Sequence, residues 1–493
     1  MSSLKESITE KVSDFLSGGP KLLFIGGKFV PAKSGKTFQT INPATEEIIA
    51  DVAEGGREDV DDAVKAARKA FESPSWSNIN PHERARYLLK LADAIEAHGE
   101  EIAILETLDT GVPLTLNRAN VIANVNVLQY YAGWVTKIYG KTNPSSGELF
   151  NYTRREPLGV CGQIVPWNAP FNSVIWKIAP ALACGNTVVL KPAENTPLAA
   201  VKIAELIQEV GFPDGVVNIV PGMGTEAGAA ISEHPGIDKV AFTGSTRIGK
   251  GILRASAESL KKVTLELGGK SPNIIFGDAD IERAVESSVN GFCLLTGQAC
   301  IAGTRIFVQE KIYDEVAEKI AQRAASLNVG DPFAESTLLG PLISQTQFDR
   351  VTSYFDIGKQ EGAQIKTGGS RIGDKGFFVK PTVFTGVNND MRVAKEEIFG
   401  PVSALIPFKD EQDAILQGNN TEYGLAAAVW TSDVSKAHRV AHQIKAGTVW
   451  INTYFDFDPI SPFGGYKQSG MGRELGEESL DSYSQVKSIF LRY

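Results

Sequence analysis

The sequence predicts an α/β protein with two strand–helix domains and a small β extension. Three observations carry that reading. From 159 to 266, short β-rich runs (VCGQIV, TVVLK, VVNIV, KVAFTG, VTLEL) alternate with amphipathic helical segments. Such alternation implies a parallel sheet covered on both faces, here a Rossmann-like nucleotide platform. After Leu267-Gly268-Gly269 the alternation restarts with SPNIIFG and runs to about 467, which predicts a second α/β domain. Two further strand-like segments, GELFNYTRREP (147–157) and the tail SQVKSIFLRY (484–493), lie outside both rounds.

Each element has a local reason. LLFIGGKFVPA reads as a hairpin around Gly26-Gly27. Residues 57–138 read as largely helical, with Val64, Ala67 and Phe71 at helix spacing. In the helix at 198–210, Val201, Ala204 and Ile207 share a face opposite Lys202, Glu205 and Glu209. The predicted division is 1–137 with 157–267 as the nucleotide-binding domain and 268–477 as the second domain. Segments 138–156 and 478–493 form an arm. Free strands of this kind leave exposed edges, so 147–157 and 484–493 are expected to pair across subunits of a homodimer or homotetramer.

Composition removes several function classes. The 493 residues are 43% hydrophobic and 22% charged, with a net charge of −9. That balance disfavours nucleic acid and anionic membrane as partners. MSSLKESITEKVSDF has no apolar core of a secretory signal, and no apolar run approaches the ~20 residues that span a bilayer. The four cysteines (161, 184, 293, 300) show no CxxC spacing, so neither a disulfide framework nor a zinc ribbon is expected, and a reducing cytoplasm fits. His438 and His442 stand i, i+4, but Arg439 occupies the position where HExxH needs glutamate, so no metal site is expected.

GSTRIGKG (244–251) nearly matches a P-loop, but Gly251 replaces the hydroxyl residue that would hold Mg²⁺, and the stretch follows the fourth strand rather than the first. What survives is a glycine turn whose backbone N–H groups open a helix, a local anion site at most. Around it, seven stretches occur in order: PWNAPF (166–171), GNTVVLKPAENTP (185–197), FTGSTRIG (242–249), LELGGKSPNI (265–274), GQAC (297–300), EEIFGPV (396–402) and SPFGGYKQSGMGRELG (461–476). Together they resemble the NAD(P)-dependent aldehyde dehydrogenase superfamily, on its hydrolytic, non-acylating side, over essentially the whole chain.

The resemblance implies roles for particular residues. Cys300 is the nucleophile, because hydride cannot leave an aldehyde until its carbonyl carbon is tetrahedral, and a thiolate both attacks and departs readily. Cys293 matches no motif and reads as structural. Asn168 supplies a side-chain NH₂ to the oxyanion alongside the Cys300 backbone N–H; losing one such donor costs about 2.7–4 kcal/mol of barrier. Glu266 activates the water that hydrolyses the thioester, with flanking glycines giving its carboxylate room to swing. For the cofactor, Lys191 and Glu194 hold the adenosine ribose, and Glu194 would repel a 2′-phosphate, which favours NAD over NADP. Ser245, in its turn Gly244–Gly249, touches the pyrophosphate with Trp167 near it. Glu397, beside Phe399, orients the nicotinamide ribose.

The implied activity is NAD-dependent oxidation of an aldehyde to its acid. A CoA-acylating dehydrogenase and a catalytically idle relative on the same scaffold are the alternatives, and intact Cys300, Asn168 and Glu266 speak against both. Ala169 and Leu294 stand where bulkier aromatics are common in this family. With Trp176, Phe455, Phe457 and Phe463 as the remaining wall, they predict a wide apolar channel for a medium-to-bulky hydrophobic aldehyde, with no anchor for a charged one.

Overall fold

A computed structural model describes residues 10–493. Two large sheets carry the chain. In the first, the order is Gly470–Met471, Lys262–Glu266, Lys239–Thr243, Val160–Ile164, Thr187–Lys191, Val217–Ile219, Leu23–Ile25, Lys28–Val30. The five central strands are parallel. The earliest of these five in sequence, Val160–Ile164, lies between Thr187–Lys191 on one side and Lys239–Thr243 on the other. The order in which successive strands are added therefore reverses between Val160–Ile164 and Lys239–Thr243. In an open parallel sheet that switch point leaves a crevice beyond the carboxyl ends of the strands. Trp167 follows one of these strands and Ser245 the other.

The second sheet runs Gln364–Thr367, Thr382–Thr385, Val402–Phe408, Arg305–Gln309, Pro272–Ile275, Ala426–Trp430, Thr448–Ile451 and is parallel except at its Gln364–Thr367 edge. Both sheets are buried on both faces because successive side chains point to opposite sides. Cys161, Val188 and Leu190 enter one apolar core while Val160, Val189 and Val240 enter another. Ile274 and Phe307 likewise part from Ile275 and Val308.

The Leu23–Ile25 and Lys28–Val30 hairpin turns at Gly26 and Gly27, both with positive φ (59° and 78°), as a two-residue turn between twisted strands requires. Five helices and one short 3₁₀ turn fill 57–137. The helix Leu198–Val210 buries Val201, Ala204 and Ile207 as expected, but Lys202 is buried too. Its ammonium meets Glu101 at 2.8 Å and Glu205 at 3.2 Å. His438 and His442 are exposed, and among the described residues no cluster could hold a metal. No described helix is long and apolar enough to cross a membrane. The sequence reading of the N-terminus falls partly on residues 1–9, which lie outside the described residues.

Two expectations need correction. The segments 149–157 and 484–492 do not each wait for another subunit. They pair with one another in the same chain, antiparallel from Ser484↔Pro157 to Arg492↔Leu149, with Thr142–Asn143 on the other side. Both have the alternating, β-branched character of strands, and each satisfies one edge of the other. The second correction concerns 268–477, which is not confined to the second sheet. Gly470–Met471 returns to pair antiparallel with Leu265 and Glu266 on the first. That return brings the SPFGGYKQSGMGRELG segment against the strand that ends in Glu266.

Between the sheets, Arg305 holds the chain that leaves Glu266. Fully buried, it donates through Nε to the Lys270 carbonyl at 2.9 Å and through a terminal nitrogen to the Gly418 carbonyl at 2.9 Å. A buried guanidinium is tolerated only when its donors are spent in this way.

Candidate active site

Beyond the carboxyl ends of the first sheet lies a cavity of about 930 Å³. Its wall includes Cys300, Asn168 and Glu266, brought in by three different elements. Asn168 comes from the irregular loop before the helix Pro170–Ala183, Glu266 from the last residue of its strand, and Cys300 from the turn after the helix Ile281–Cys293.

The approach to Cys300 is strained. Leu295, Thr296 and Gly297 all have left-handed φ (53°, 56° and 68°), which is costly for a β-branched threonine. The Thr296 hydroxyl donates to the Gly340 carbonyl at 3.0 Å, and Gln298 Oε1 accepts the Ile343 N–H at 2.9 Å. Asn168 Nδ2 donates to the Gln298 carbonyl at 2.8 Å. This fixes the amide against the cysteine loop and leaves its second N–H available. Cys300 is partly accessible, whereas Cys161, Cys184 and Cys293 are buried. Burial first, and then the Glu397 and Glu266 carboxylates, push the Cys300 thiol well up. In this environment it needs a base or a nearby cation before it can act as thiolate.

Glu266 is 3% exposed, and neither carboxylate oxygen has a hydrogen-bond partner. Burial, and secondarily the charge of Glu474, raises it well above the usual carboxylate range, against the pull of Lys177 and Arg473. It does not pair with Lys270, whose Nζ is itself unpartnered. A carboxylate so placed keeps proton affinity for catalysis rather than spending it on a salt bridge.

Sequence reasoning missed Lys177. It is the one charged residue of the helix Pro170–Ala183, with a fully buried side chain. Its ammonium donates to Glu474 and, at 2.6 Å, to the Thr243 hydroxyl. Glu474 is tied by backbone bonds to Phe463 and stands beside Glu266. The signal was there: one lysine among PFNSVIWKIAPALA.

Of the cofactor candidates, Trp167, Gly244, Ser245, Glu397 and Phe399 line the cavity. The Trp167 and Phe399 rings meet edge-on at 5.3 Å. Glu397 Oε1 accepts the Gly269 N–H at 2.9 Å, and burial pushes its carboxyl up to about 7. Ser245 caps the helix Thr246–Ala257, its Oγ accepting the Ile248 N–H at 3.4 Å. Gly249 is not on the cavity wall; a Cβ there would meet Leu267 at 2.6 Å, so it is the glycine that lets this helix pack on the sheet. Lys191 and Glu194 also lie outside the cavity, at the carboxyl end of the neighbouring strand. Lys191 is buried, not solvated, and donates to the Pro192 and Gly222 carbonyls at 2.6 and 2.8 Å and to Glu194 at 3.2 Å. Glu194, 41% exposed at its side chain, keeps an open face.

All six substrate candidates, Ala169, Trp176, Leu294, Phe455, Phe457 and Phe463, line the same cavity. Trp176, Phe457 and Phe463 form a closed triangle of rings with centroids 5.7–6.1 Å apart. The wall is less apolar than the sequence predicts. Glu106, Asn120, Asn124, Asn172 and Asp458 line it as well, and the helix Leu114–Trp134 contributes both amides and the apolar Leu116, Ala123 and Val127.

With this geometry in place, the comparisons are direct. The sequence model described as the aldehyde dehydrogenase family matches residues 29–489. The mitochondrial aldehyde dehydrogenase of Homo sapiens is 52% identical over 473 residues, 95% of this chain and 92% of that protein. An aldehyde dehydrogenase of Emericella nidulans is 53% identical over 474 residues, covering 96% and 95%. The solved structure of an aldehyde dehydrogenase from Bacillus cereus in complex with NAD⁺ is 53% identical, with a TM-score of 0.97 over 98% of both chains. A betaine aldehyde dehydrogenase from Staphylococcus aureus, also solved with NAD⁺, has a TM-score of 0.97 at 42% identity over 98% and 97%. The chain belongs to the aldehyde dehydrogenase family, and its two α/β layers are that family's fold.

Proposed function

We propose that the protein oxidises an aldehyde to its carboxylic acid with NAD, through a thiohemiacetal and then a thioester on Cys300. The observation that carries this reading is the convergence of a partly accessible thiol, an amide donor and an unpartnered buried carboxylate on one cavity. NAD fits the switch-point crevice, with Trp167 and Phe399 as its apolar walls, Glu397 toward a ribose, and Lys191 and Glu194 at the adenosine end; when bound it supplies the hydride acceptor. Cys300 gives up its thiol proton to solvent as Sγ bonds to the carbonyl carbon, and the Asn168 N–H and the Cys300 backbone N–H receive the developing oxyanion. Glu266 takes a proton from the water that attacks the thioester carbon, and Cys300 leaves as thiolate. Lys177 and Glu474 hold charge beside Glu266 and tune its proton affinity.

Cys300→Ser should abolish NADH formation while leaving NAD binding within severalfold by fluorescence titration. Glu266→Gln should release a burst of NADH approaching one per active site and then stall. Steady turnover of Glu266→Gln at the parent rate would refute the role of Glu266 as base.

The reading extends to substrate size. Ala169 and Leu294 leave the cavity wide, and the Trp176, Phe457 and Phe463 rings offer apolar surface to a medium-to-bulky aldehyde. Each further buried CH₂ is worth about 0.8 kcal/mol, so several change kcat/KM by orders of magnitude. Long aliphatic, aromatic or terpenoid-like aldehydes should outperform acetaldehyde in steady-state assays, and Ala169→Phe should reverse the order. Acetaldehyde as the best substrate of the parent would overturn this.

The protein works as a homodimer or homotetramer. The strand Ser484–Arg492 pairs on one side only and leaves Val486, Phe490 and Leu491 exposed, an edge that single chains avoid presenting. Light scattering should find no stable monomer; an active monomer in dilute solution would contradict this.

A further inference from the structure

Besides its aromatic triangle, the cavity carries an acceptor seam that the reaction does not use. Asn117, Asn120 and Asn124 follow one another at i, i+3 and i+7 along the helix Leu114–Trp134, and all three line the cavity. Asn124 is 1% exposed; its Nδ2 donates to the Asn120 carbonyl at 2.8 Å and to Asn172 Oδ1 at 2.7 Å, while its Oδ1 has no partner. Glu106, on the preceding helix and also on the cavity wall, accepts the Phe171 N–H through Oε1 at 3.2 Å, while its Oε2 has no partner. Both oxygens are therefore attached to side chains that grip residues 171 and 172, the first turn of the helix capped by Ala169. Buried polar atoms are almost always hydrogen-bonded, and two orphaned acceptors on one cavity wall ask for a donor from what fills the cavity.

We propose that this seam receives a hydroxyl on the distal part of the substrate, so that the preferred aldehydes are hydroxylated ones with an apolar body. The proposal rests on the aldehyde-oxidising reading of Cys300 and Glu266 and narrows its substrate class. A neutral hydroxyl fits better than a cation. Asn124 offers an uncharged amide oxygen, and burial pushes the Glu106 carboxyl up to about 8, so it is uncharged near neutral pH and can both give and accept a hydrogen bond. Asp458, a further acid on the wall, is exposed, and its Oδ1 accepts the Ile460 N–H at 3.0 Å. A hydroxyl also gains where a methyl cannot, because a site built to bond an OH leaves its own polar atoms unpaired when that OH is missing.

Matched pairs test this in the full-length enzyme with NAD: dihydrocitronellal against hydroxycitronellal, and phenylpropanal against its para-hydroxyphenyl analogue. The saturated linker in each insulates the carbonyl from the hydroxyl electronically. In at least one pair the hydroxyl member should lead by about tenfold in kcat/KM, the scale of one net neutral hydrogen bond. In Asn124→Leu, and separately in Glu106→Leu, that ratio should fall toward one. The ratio is read within one preparation, so a partial loss of folded enzyme does not imitate the effect, and the second variant serves if the first does not fold. Equal rates within both pairs, a lead for the hydrocarbon members, or a ratio that survives both substitutions would overturn the proposal. So would betaine aldehyde as the best substrate, since it carries charge without a donor. Absence of NADH with every aldehyde would instead refute the oxidation reading itself.

Discussion

The site depends on the close backbone approach at Gly268-Gly269. A Cβ on Gly268 would stand 2.4 Å from Glu397 Oε2, and one on Gly269 would stand 2.1 Å from the Cys300 carbonyl oxygen. No side chain of any size fits there. The absence of side chains lets the Gly269 N–H reach Glu397 and lets the cysteine loop lie against the chain leaving Glu266. Ser469 fastens the same point, its hydroxyl donating to the Gly268 carbonyl at 2.7 Å and its own carbonyl accepting the Leu267 N–H at 2.9 Å. The end of one sheet, the Cys300 loop and the returning strand Gly470–Met471 all meet across two residues.

That meeting has an electrostatic consequence. Glu266 is buried and Glu397 partly buried, both are raised in proton affinity, and their negative charge raises Cys300 in turn. Such an arrangement opposes its own ionisation and costs stability, as sites held ready for chemistry commonly do. Lys177 is the nearest compensation, and its ammonium is committed to Glu474 and Thr243 rather than to Glu266 itself. The unspent carboxylate is what the hydrolytic step proposed above would require.

Much of this was legible in the sequence because the signals are local. Strand–helix alternation, Gly26-Gly27, and the short stretches around Asn168, Glu266 and Cys300 each carry their meaning within a dozen residues. What was not legible depends on long-range partners. The tail showed strand character but not that its partner was 149–157, more than 300 residues earlier. Lys202 read as part of a polar helix face because burial of a lysine is decided by acids elsewhere in the chain. Asn124 and Glu106 read as ordinary helix residues, and only the fold turns them to the cavity beside Ala169. Gly249 followed the glycine pattern of a phosphate turn, whereas its neighbour Leu267 gives it a packing role.

The most direct test of the central constraint is Gly269→Ala, assayed for NADH formation alongside circular dichroism and the rate of Cys300 alkylation. The backbone at Gly269 does not need a left-handed φ, so the added methyl acts through collision with the Cys300 carbonyl alone. A folded protein with kcat/KM reduced by about 100-fold or more, the scale expected when reacting groups shift by about 1 Å, and with altered alkylation of Cys300, is the predicted result. A folded Gly269→Ala enzyme that turns over at the parent rate would contradict the account.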